Sequence, residues 1–431
     1  MAKIFMDLTP VKELPEYRRL WIGSLFSSLG FQITSTAVTL EIFSFTHSTF
    51  AVGLLGFIVV LPLIIGGLYG GVIADNYDRR KVSLTASWGM WLMTLFIALQ
   101  SWINLQNQWV LYTLVALESL LFPINQAARG AIIPRIVPPK LLASANALNM
   151  SVGSLGMALG PLLSGLFIAS IGYNYTYLVN VFALLVSIWA LYKLPTVLPE
   201  HDEKTPKVRG LRSVVEGFYF VRRTPVIAMT FIVDLIAMIC IQARPLIPAL
   251  VLLSFGGGDL GAGVLFSAGA LGAFIGVTFS GWLSAIQRRG AFLTMSYVLW
   301  GIGFVFFGTI AFFLEGRSPS ESLHENLLPL VCASCALAVA GWADGVGGIF
   351  RSTIIQQETP DRLRGRLQGI FIMTLAGGPN IGIGVMGLGA ALFGTSMTAI
   401  IGGVICVGAI VLATYWKPAL WRYPTENTLE Q

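Results

Sequence analysis

Twelve stretches of this chain stay apolar for about 20 residues or more, long enough for a helix to cross roughly 30 Å of hydrocarbon. They run Leu20–Phe45, Val52–Ala74, Val82–Trp102, Trp109–Ile133, Leu141–Ile171 and Tyr173–Leu194, then Val226–Leu253, Leu260–Ile286, Ala291–Leu314, Leu327–Ile355, Leu367–Phe393 and Met397–Trp416. Lipid offers backbone N–H and C=O groups no partner, so only helices and closed barrels can cross it. A barrel needs short strands of alternating polarity, not continuous apolar runs. The expected fold class is therefore an all-α membrane protein with twelve transmembrane helices.

Composition rules out the main alternatives. With 55% hydrophobic and 11% charged residues, the chain has too little charge to cover a soluble surface of this size. A net charge of +6 would fit nucleic acid if the basic residues shared one soluble face, but they lie in short loops between the spans, so no nucleic-acid partner is expected. The first nineteen residues include Lys3, Asp7, Lys12, Glu13, Glu16, Arg18 and Arg19, with no short apolar core and cleavage site; the first span is expected to stay as a helix. Cys240, Cys332, Cys335 and Cys406 all lie in apolar runs and read as small apolar filler. Cys332 and Cys335 have metal half-site spacing, but no His or second Cys pair accompanies them. There is no Gly-x-x-x-x-Gly-Lys-Ser/Thr loop for ATP and no nucleophile constellation. No enzyme activity, metal or cofactor is expected.

Lysine and arginine set the orientation. With both termini inside, 25 of the chain's 27 basic residues fall in or beside inward-facing segments, Arg244 and Arg317 being the exceptions. This bias predicts a multi-pass protein of the cell (inner) membrane with cytoplasmic termini. The chain also repeats itself. A shift of 222 carries Arg129 to Arg351, Pro138 to Pro360, and Gly156, Gly160 and Gly165 to Gly378, Gly382 and Gly387. Earlier, a shift of 210 carries Gly66 to Gly276, Gly71 to Gly281 and Arg79 to Arg289. The expected organisation is a six-helix bundle over 1–194, a polar cytoplasmic linker over 195–225, and a second six-helix bundle with a cytoplasmic tail over 226–431. Glu315–Asn326 reads as an outer loop.

The stretch Gly66-Gly67-Leu68-Tyr69-Gly70-Gly71-Val72-Ile73-Ala74-Asp75-Asn76-Tyr77-Asp78-Arg79-Arg80-Lys81 joins the second span to the third. Its small residues at 66, 67, 70 and 71 allow close helix approach. Gly71, Asp75, Asp78, Arg79 and Arg80 resemble the loop between helices two and three of major facilitator superfamily transporters, with Asn76 where that family has Arg. The run Ala128-Arg129-Gly130-Ala131-Ile132-Ile133-Pro134-Arg135 through Pro138, followed by Leu141 and Ala145-Asn146-Ala147-Leu148, resembles the enterobactin-exporter and macrolide-efflux subgroup. So do Thr46-His47-Ser48-Thr49 and Arg244 ahead of Pro248. In helix five, Gly156, Gly160, Pro161 and Gly165 resemble the Gly/Pro motif of the superfamily's antiporters; ordinary helix packing accounts for the same glycines.

Charge inside a span costs roughly 2.5–3.5 kcal/mol, so each such group needs a cavity or a partner. Apart from Asp75 near a boundary, these groups are Glu41, Glu118, Arg129, Asp234, Arg244, Asp344 and Arg351. They fall on helices one, four, seven and ten, which the resemblance places around a central cavity. Glu118, Asp344, Asp234 and Glu41 are the candidate proton-coupling acids. Arg244, Glu118, Asp234 and Asp344 are the candidate cavity residues. Arg129 and Arg351 are expected to contact inward-side acids such as Asp75, Asp78 or Glu358 as gating or structural partners, with substrate binding as the alternative role. Arg244-Pro245 is expected to break helix seven.

The leading reading is a secondary active transporter embedded in the bilayer: a proton-coupled exporter of a small amphipathic molecule such as a siderophore. A general drug pump is the rival within transporters. A non-transporting membrane receptor or scaffold is the rival of another class, and it would not need acids on the four repeat-leading helices. A monomer fits this architecture.

Overall fold

The computed structural model describes residues 7–197, 218–316, 326–360 and 364–423. Most of the expected polar linker and the outer loop's centre, with Arg317 and Arg362, lie outside the described residues. A one-turn helix, Thr9–Glu13, precedes α1 (Pro15–Thr46), α2 (Thr49–Asn76), α3 (Arg79–Trp102) and α4 (Gln108–Ile136). The run Leu142–Tyr192 is two helices, α5 before Gly172 and α6 after it. Gly172 has φ 79° and ψ 172°, a conformation that only glycine takes up at little cost, so the two spans join with almost no loop. Then come α7 (Pro225–Cys240), α8 (Gly258–Thr278), α9 (Arg289–Leu314), α10 (Leu327–Glu358), α11 (Arg364–Phe393) and α12 (Thr395–Trp416).

Two spans differ from expectation. Helix seven was expected to continue to Leu253 with a break near Arg244. The break is more extensive: α7 stops at Cys240, and a short helix, Ile247–Leu250, runs into a π turn, Val251–Phe255. Pro245 and Pro248 lack N–H donors, and each disfavours helix in the residue before it. Span eight was expected to reach Ile286, but α8 stops at Thr278 and a 3-10 segment, Ser280–Ala285, follows. Ser280-Gly281 is a poor helix-forming pair.

The chain clusters into two compact units. The first holds Met1–Thr46 and Ile58–Thr205; the second holds His47–Phe57 and Pro206–Gln431. The sequence repeat is visible in the contacts inside each. In the first unit a Cβ on Gly160 would lie 2.4 Å from Cβ of Gln32, and one on Gly156 would lie 2.3 Å from Ser28 Oγ. In the second, a Cβ on Gly382 would lie 2.6 Å from Cγ of Gln242, and one on Gly378 3.1 Å from Met238 Sδ. The shift of 222 relates the glycines and the shift of 210 relates the residues they meet. Likewise Gly66 meets the Leu120 carbonyl and Gly276 the Trp342 carbonyl. Tyr17, Ile133 and Ala145 belong to one apolar core, and their counterparts Ile227, Ile355 and Leu367 to another. Two pseudo-symmetric six-helix bundles follow from one packing scheme used twice.

Candidate functional site

Each unit buries its ionisable groups in hydrogen-bonded clusters. In the first, Arg129 lies on α4 and is 2% exposed. Its guanidinium donates to Asn125 Oδ1, to Ser24 Oγ at 3.1 Å, to Ser87 Oγ at 3.4 Å and to Ser187 Oγ at 2.5 Å. Asn125 in turn donates to Ser87 Oγ at 2.6 Å and to the Ser83 carbonyl at 3.2 Å. The cradle thus draws on α1, α3, α4 and α6, and every one of these acceptors is neutral. Arg129 was expected to meet acids such as Asp75 or Asp78. It does not, because it points into its own bundle among serines that hydropathy alone does not single out.

Glu118 lies three turns before Arg129 on α4 and is 2% exposed. Thr94 Oγ1 stands 3.5 Å from its Oε1, and Asn180 Nδ2 donates to Thr94 Oγ1 at 3.4 Å and to Thr34 Oγ1 at 2.6 Å. This links α1, α3, α4 and α6 a second time. The close fit is needed here: a Cβ on Gly30 would come within 1.8 Å of Asn180 Oδ1. Glu41 accepts from Gln100 Nε2 at 3.0 Å and from the Tyr177 hydroxyl. Tyr177 also feels the charge of Glu118, so the two acids share one polar core.

In the second unit Asp234 of α7 is fully buried. It accepts from Arg351 Nη1 of α10 and from the Tyr297 hydroxyl of α9, the latter at 2.7 Å, and Arg351 Nη1 also lies 3.3 Å from the Tyr297 hydroxyl. Arg351 was likewise expected to meet Asp75, Asp78 or Glu358, but its ion pair is with Asp234. Asp344 lies two turns before Arg351 on α10, partly buried, with its charge within reach of both Arg351 and Asp234. Arg244 rides in the break after α7, partly buried. Glu41, Glu118 and Asp234 therefore turn toward helices of their own unit, while Asp344 and Arg244 are partly open.

The loop motif has a structural basis. Asp78, buried, caps α3 by accepting from Arg80 N at 3.0 Å, and it accepts from Val197 N at 3.2 Å. Arg79 donates to the Ala131 carbonyl at 2.9 Å. Arg80 donates to the Leu191 and Tyr192 carbonyls at 3.2 and 2.6 Å, closing the end of α6. Arg at a helix C-terminus meets both unsatisfied carbonyls and the negative end of the dipole. Asp75 is exposed. Gly66 and Gly70 meet α4 as expected, but Gly67 and Gly71 have nothing within 4 Å of a Cβ. In α5, Gly156 and Gly160 pack on α1, Gly165 is buried, and the helix continues through Pro161. Glu358 ends α10 and accepts from the Tyr423 hydroxyl at 2.6 Å.

Sequence reading missed Tyr297, Tyr177, Asn180, Thr94 and Asn125. The signal for Tyr297 was available: it is the residue to which the shift of 210 carries Ser87.

Two repeated bundles of membrane helices with ionisable groups buried inside define a secondary-transporter class. The chain belongs to the Major Facilitator Superfamily, whose family model matches residues 20–316, and it is a multi-pass membrane transporter. It is similar to the enterobactin exporter EntS of Citrobacter koseri, at 25% identity over 97% of this chain and 96% of the relative. It is also similar to EntS of Shigella boydii serotype 18, at 26% identity over 94% and 93%. In fold it is similar to the solved nucleoside transporter NupG, with TM-score 0.71 and 12% identity over 95% of this chain and 99% of that one. The POT family transporter PepTSo gives TM-score 0.72 and 11% identity over 95% and 99%.

Proposed function

We propose that this transporter is a proton-coupled exporter of a small amphipathic molecule, with a siderophore of the enterobactin kind as the leading cargo, and that it lies in the inner membrane with cytoplasmic termini. Glu118 is the observation that carries the coupling. It is buried in the bundle, its hydroxyl neighbour is 3.5 Å away, and the nearest buried cation along its helix, Arg129, is engaged by serines and an asparagine. An ionised carboxylate out of water without a cation costs several kcal/mol, and a proton cancels that charge. Glu118 can therefore exchange a proton when the transporter opens it to water. Asp344, Asp234 and Glu41 are the further coupling candidates, with Arg244 beside the substrate path. The full-length similarity to enterobactin exporters supports the direction and the cargo class. The basic loops support the orientation.

The test is enterobactin movement in proteoliposomes under an imposed pH gradient. Gradient-driven movement in the wild type, lost in Glu118→Gln with the protein still in the membrane, is the expected result. Wild-type transport by Glu118→Gln removes Glu118 from the mechanism. Transport of macrolides but not enterobactin replaces the cargo with the drug-pump alternative. No transport of either favours the receptor or scaffold.

A further inference from the structure

The C-terminal end of α6 gathers cations from three helices. Arg80, at the start of α3, donates to the Leu191 and Tyr192 carbonyls, and its guanidinium lies 5.6 Å from the centre of the Tyr192 ring. Arg19 of α1 donates to the Lys193 carbonyl at 3.3 Å, and the Lys193 side chain is exposed. Three successive carbonyls thus fix two guanidiniums beside a third cation. Neutral carbonyls hold a cation in place without cancelling its charge, and the helix end itself offsets only about half a unit. Glu16 and Asp78 are the acids nearest in sequence, and among the described residues neither forms an ion pair with Arg19, Arg80 or Lys193. Below the cluster α3 and α6 run side by side, joined by Asn180 to Thr94 at 3.4 Å and by Ser101 to Asn174 at 2.6 Å. Their polar residues Ser87, Thr94, Asn180 and Ser187 are buried in the bundle. On the opposite face the exposed residues are apolar or aromatic: Trp88, Leu92 and Phe96 on α3, and Phe182, Trp189 and Tyr192 on α6. That face meets acyl chains, and Trp189 and Tyr192 stand at its end next to the cations, where aromatic rings favour the headgroup level.

We propose that Arg19, Arg80 and Lys193 form a binding site for the headgroup of an anionic phospholipid whose acyl chains lie along the apolar face of α3 and α6. Neither cargo nor proton coupling enters into it, only the bilayer around the helices. Membrane orientation requires basic residues on one side but not their convergence on one helix end. The second unit shows the difference. It keeps Arg288 and Arg289 at the start of α9 and Lys417 after α12, yet the shift of 210 carries Arg19 to Met229 and Arg80 to Gly290. The convergent cluster therefore belongs to the first unit, and one lipid per chain is expected there. A phosphodiester supplies the negative charge that the cluster lacks, and guanidinium N–H groups suit phosphate oxygens. The fixed guanidiniums give up little side-chain freedom on binding.

The test titrates the purified full-length protein, in a neutral detergent, with dioleoyl phosphatidylglycerol or dioleoyl phosphatidylcholine and counts bound lipid by native mass spectrometry. The acyl chains are the same, so the comparison isolates headgroup charge. Each Lys or Arg at an anionic headgroup is worth about fivefold in affinity, so one phosphatidylglycerol should bind about a hundredfold tighter than phosphatidylcholine. Arg19→Gln with Lys193→Gln should weaken that binding about twenty-fivefold. Lys12→Gln with Lys140→Gln removes the same charge from exposed positions on the same side of the unit and should change it less than about twofold. Should the first double variant fail to fold, Lys193→Gln, which alters one exposed side chain, decides by a loss of about fivefold. Equal binding of the two lipids, or equal weakening by the two double variants, overturns the proposal. Displacement of phosphatidylglycerol by an equal concentration of glycerol 3-phosphate also overturns it, because the occupant is then a free phosphate ester and not a lipid.

Discussion

Replacing Asp234 by alanine removes the carboxylate from a pair whose side chains are 9% exposed for Arg351 and 0% for Asp234. The guanidinium then stays in a low-dielectric interior without its ion-pair partner. Breaking a buried pair from one side typically costs about 3–5 kcal/mol. The Tyr297 hydroxyl remains 3.3 Å from Arg351 Nη1 and the charge of Asp344 stays within reach, so the lower end, about 3 kcal/mol, is expected. Exchanging both partners for apolar groups removes the buried charge as well. Asp234→Ala combined with Arg351→Met should therefore cost less than Asp234→Ala alone. Reversible unfolding of the purified protein in mixed micelles, run as a double-mutant cycle, measures both quantities. The reasoning is refuted if Asp234→Ala costs under about 1 kcal/mol, or if the double variant costs the sum of the two singles.

The remaining expectations concern packing, caps and the tail. Gly382→Ala puts a Cβ 2.2 Å from the Met238 carbonyl oxygen and should cost about 1–3 kcal/mol, whereas Gly153→Ala meets nothing within 4 Å and should be neutral or stabilising by up to about 1 kcal/mol in the same unfolding assay. Asp78→Ala removes the α3 cap and the bond to Val197, and should lower stability by about 1–2 kcal/mol with a matching loss of amide protection at Val197. Burial first, then the hydrogen bond and charge of Glu358, pushes the Tyr423 hydroxyl well above the ordinary tyrosine range. Its contribution to tail docking is therefore fully present below that range and is lost as pH rises past the raised value. After correction for intrinsic rates, protection at Leu420–Tyr423 should stay flat from neutral to mildly alkaline pH and fall in Tyr423→Phe at every pH.

Hydropathy and the repeat made the fold legible. Apolar runs of membrane length located all twelve helices, and Gly172 marked the joint between the fifth and sixth. The end of α8 escaped notice because Ser280-Gly281 interrupts a helix without interrupting an apolar run. The ionisable residues of the site were legible because charge in a span stands out. Their partners were not: Ser24, Ser87, Asn125, Thr94 and Asn180 are short polar residues of the kind scattered through any membrane helix, and which of them meet depends on helix rotation. Cost arguments placed a partner beside Arg129 without saying whether it would be a carboxylate or a set of hydroxyls. Pairing the two sequence shifts residue by residue would have narrowed that choice, since it sets Ser24 against Asp234 and Ser87 against Tyr297.

The interruption after Cys240 turns one stiff rod into two short levers with a joint between them. Asp234 lies on the lower lever, the segment Ile247–Phe255 forms the upper one, and Arg244 sits on the joint. Backbone without a continuous ladder of hydrogen bonds reorients more easily than backbone with one. Arg244 thus sits where the backbone changes direction, flanked by the buried side chains of Ile241, Leu246 and Ile247.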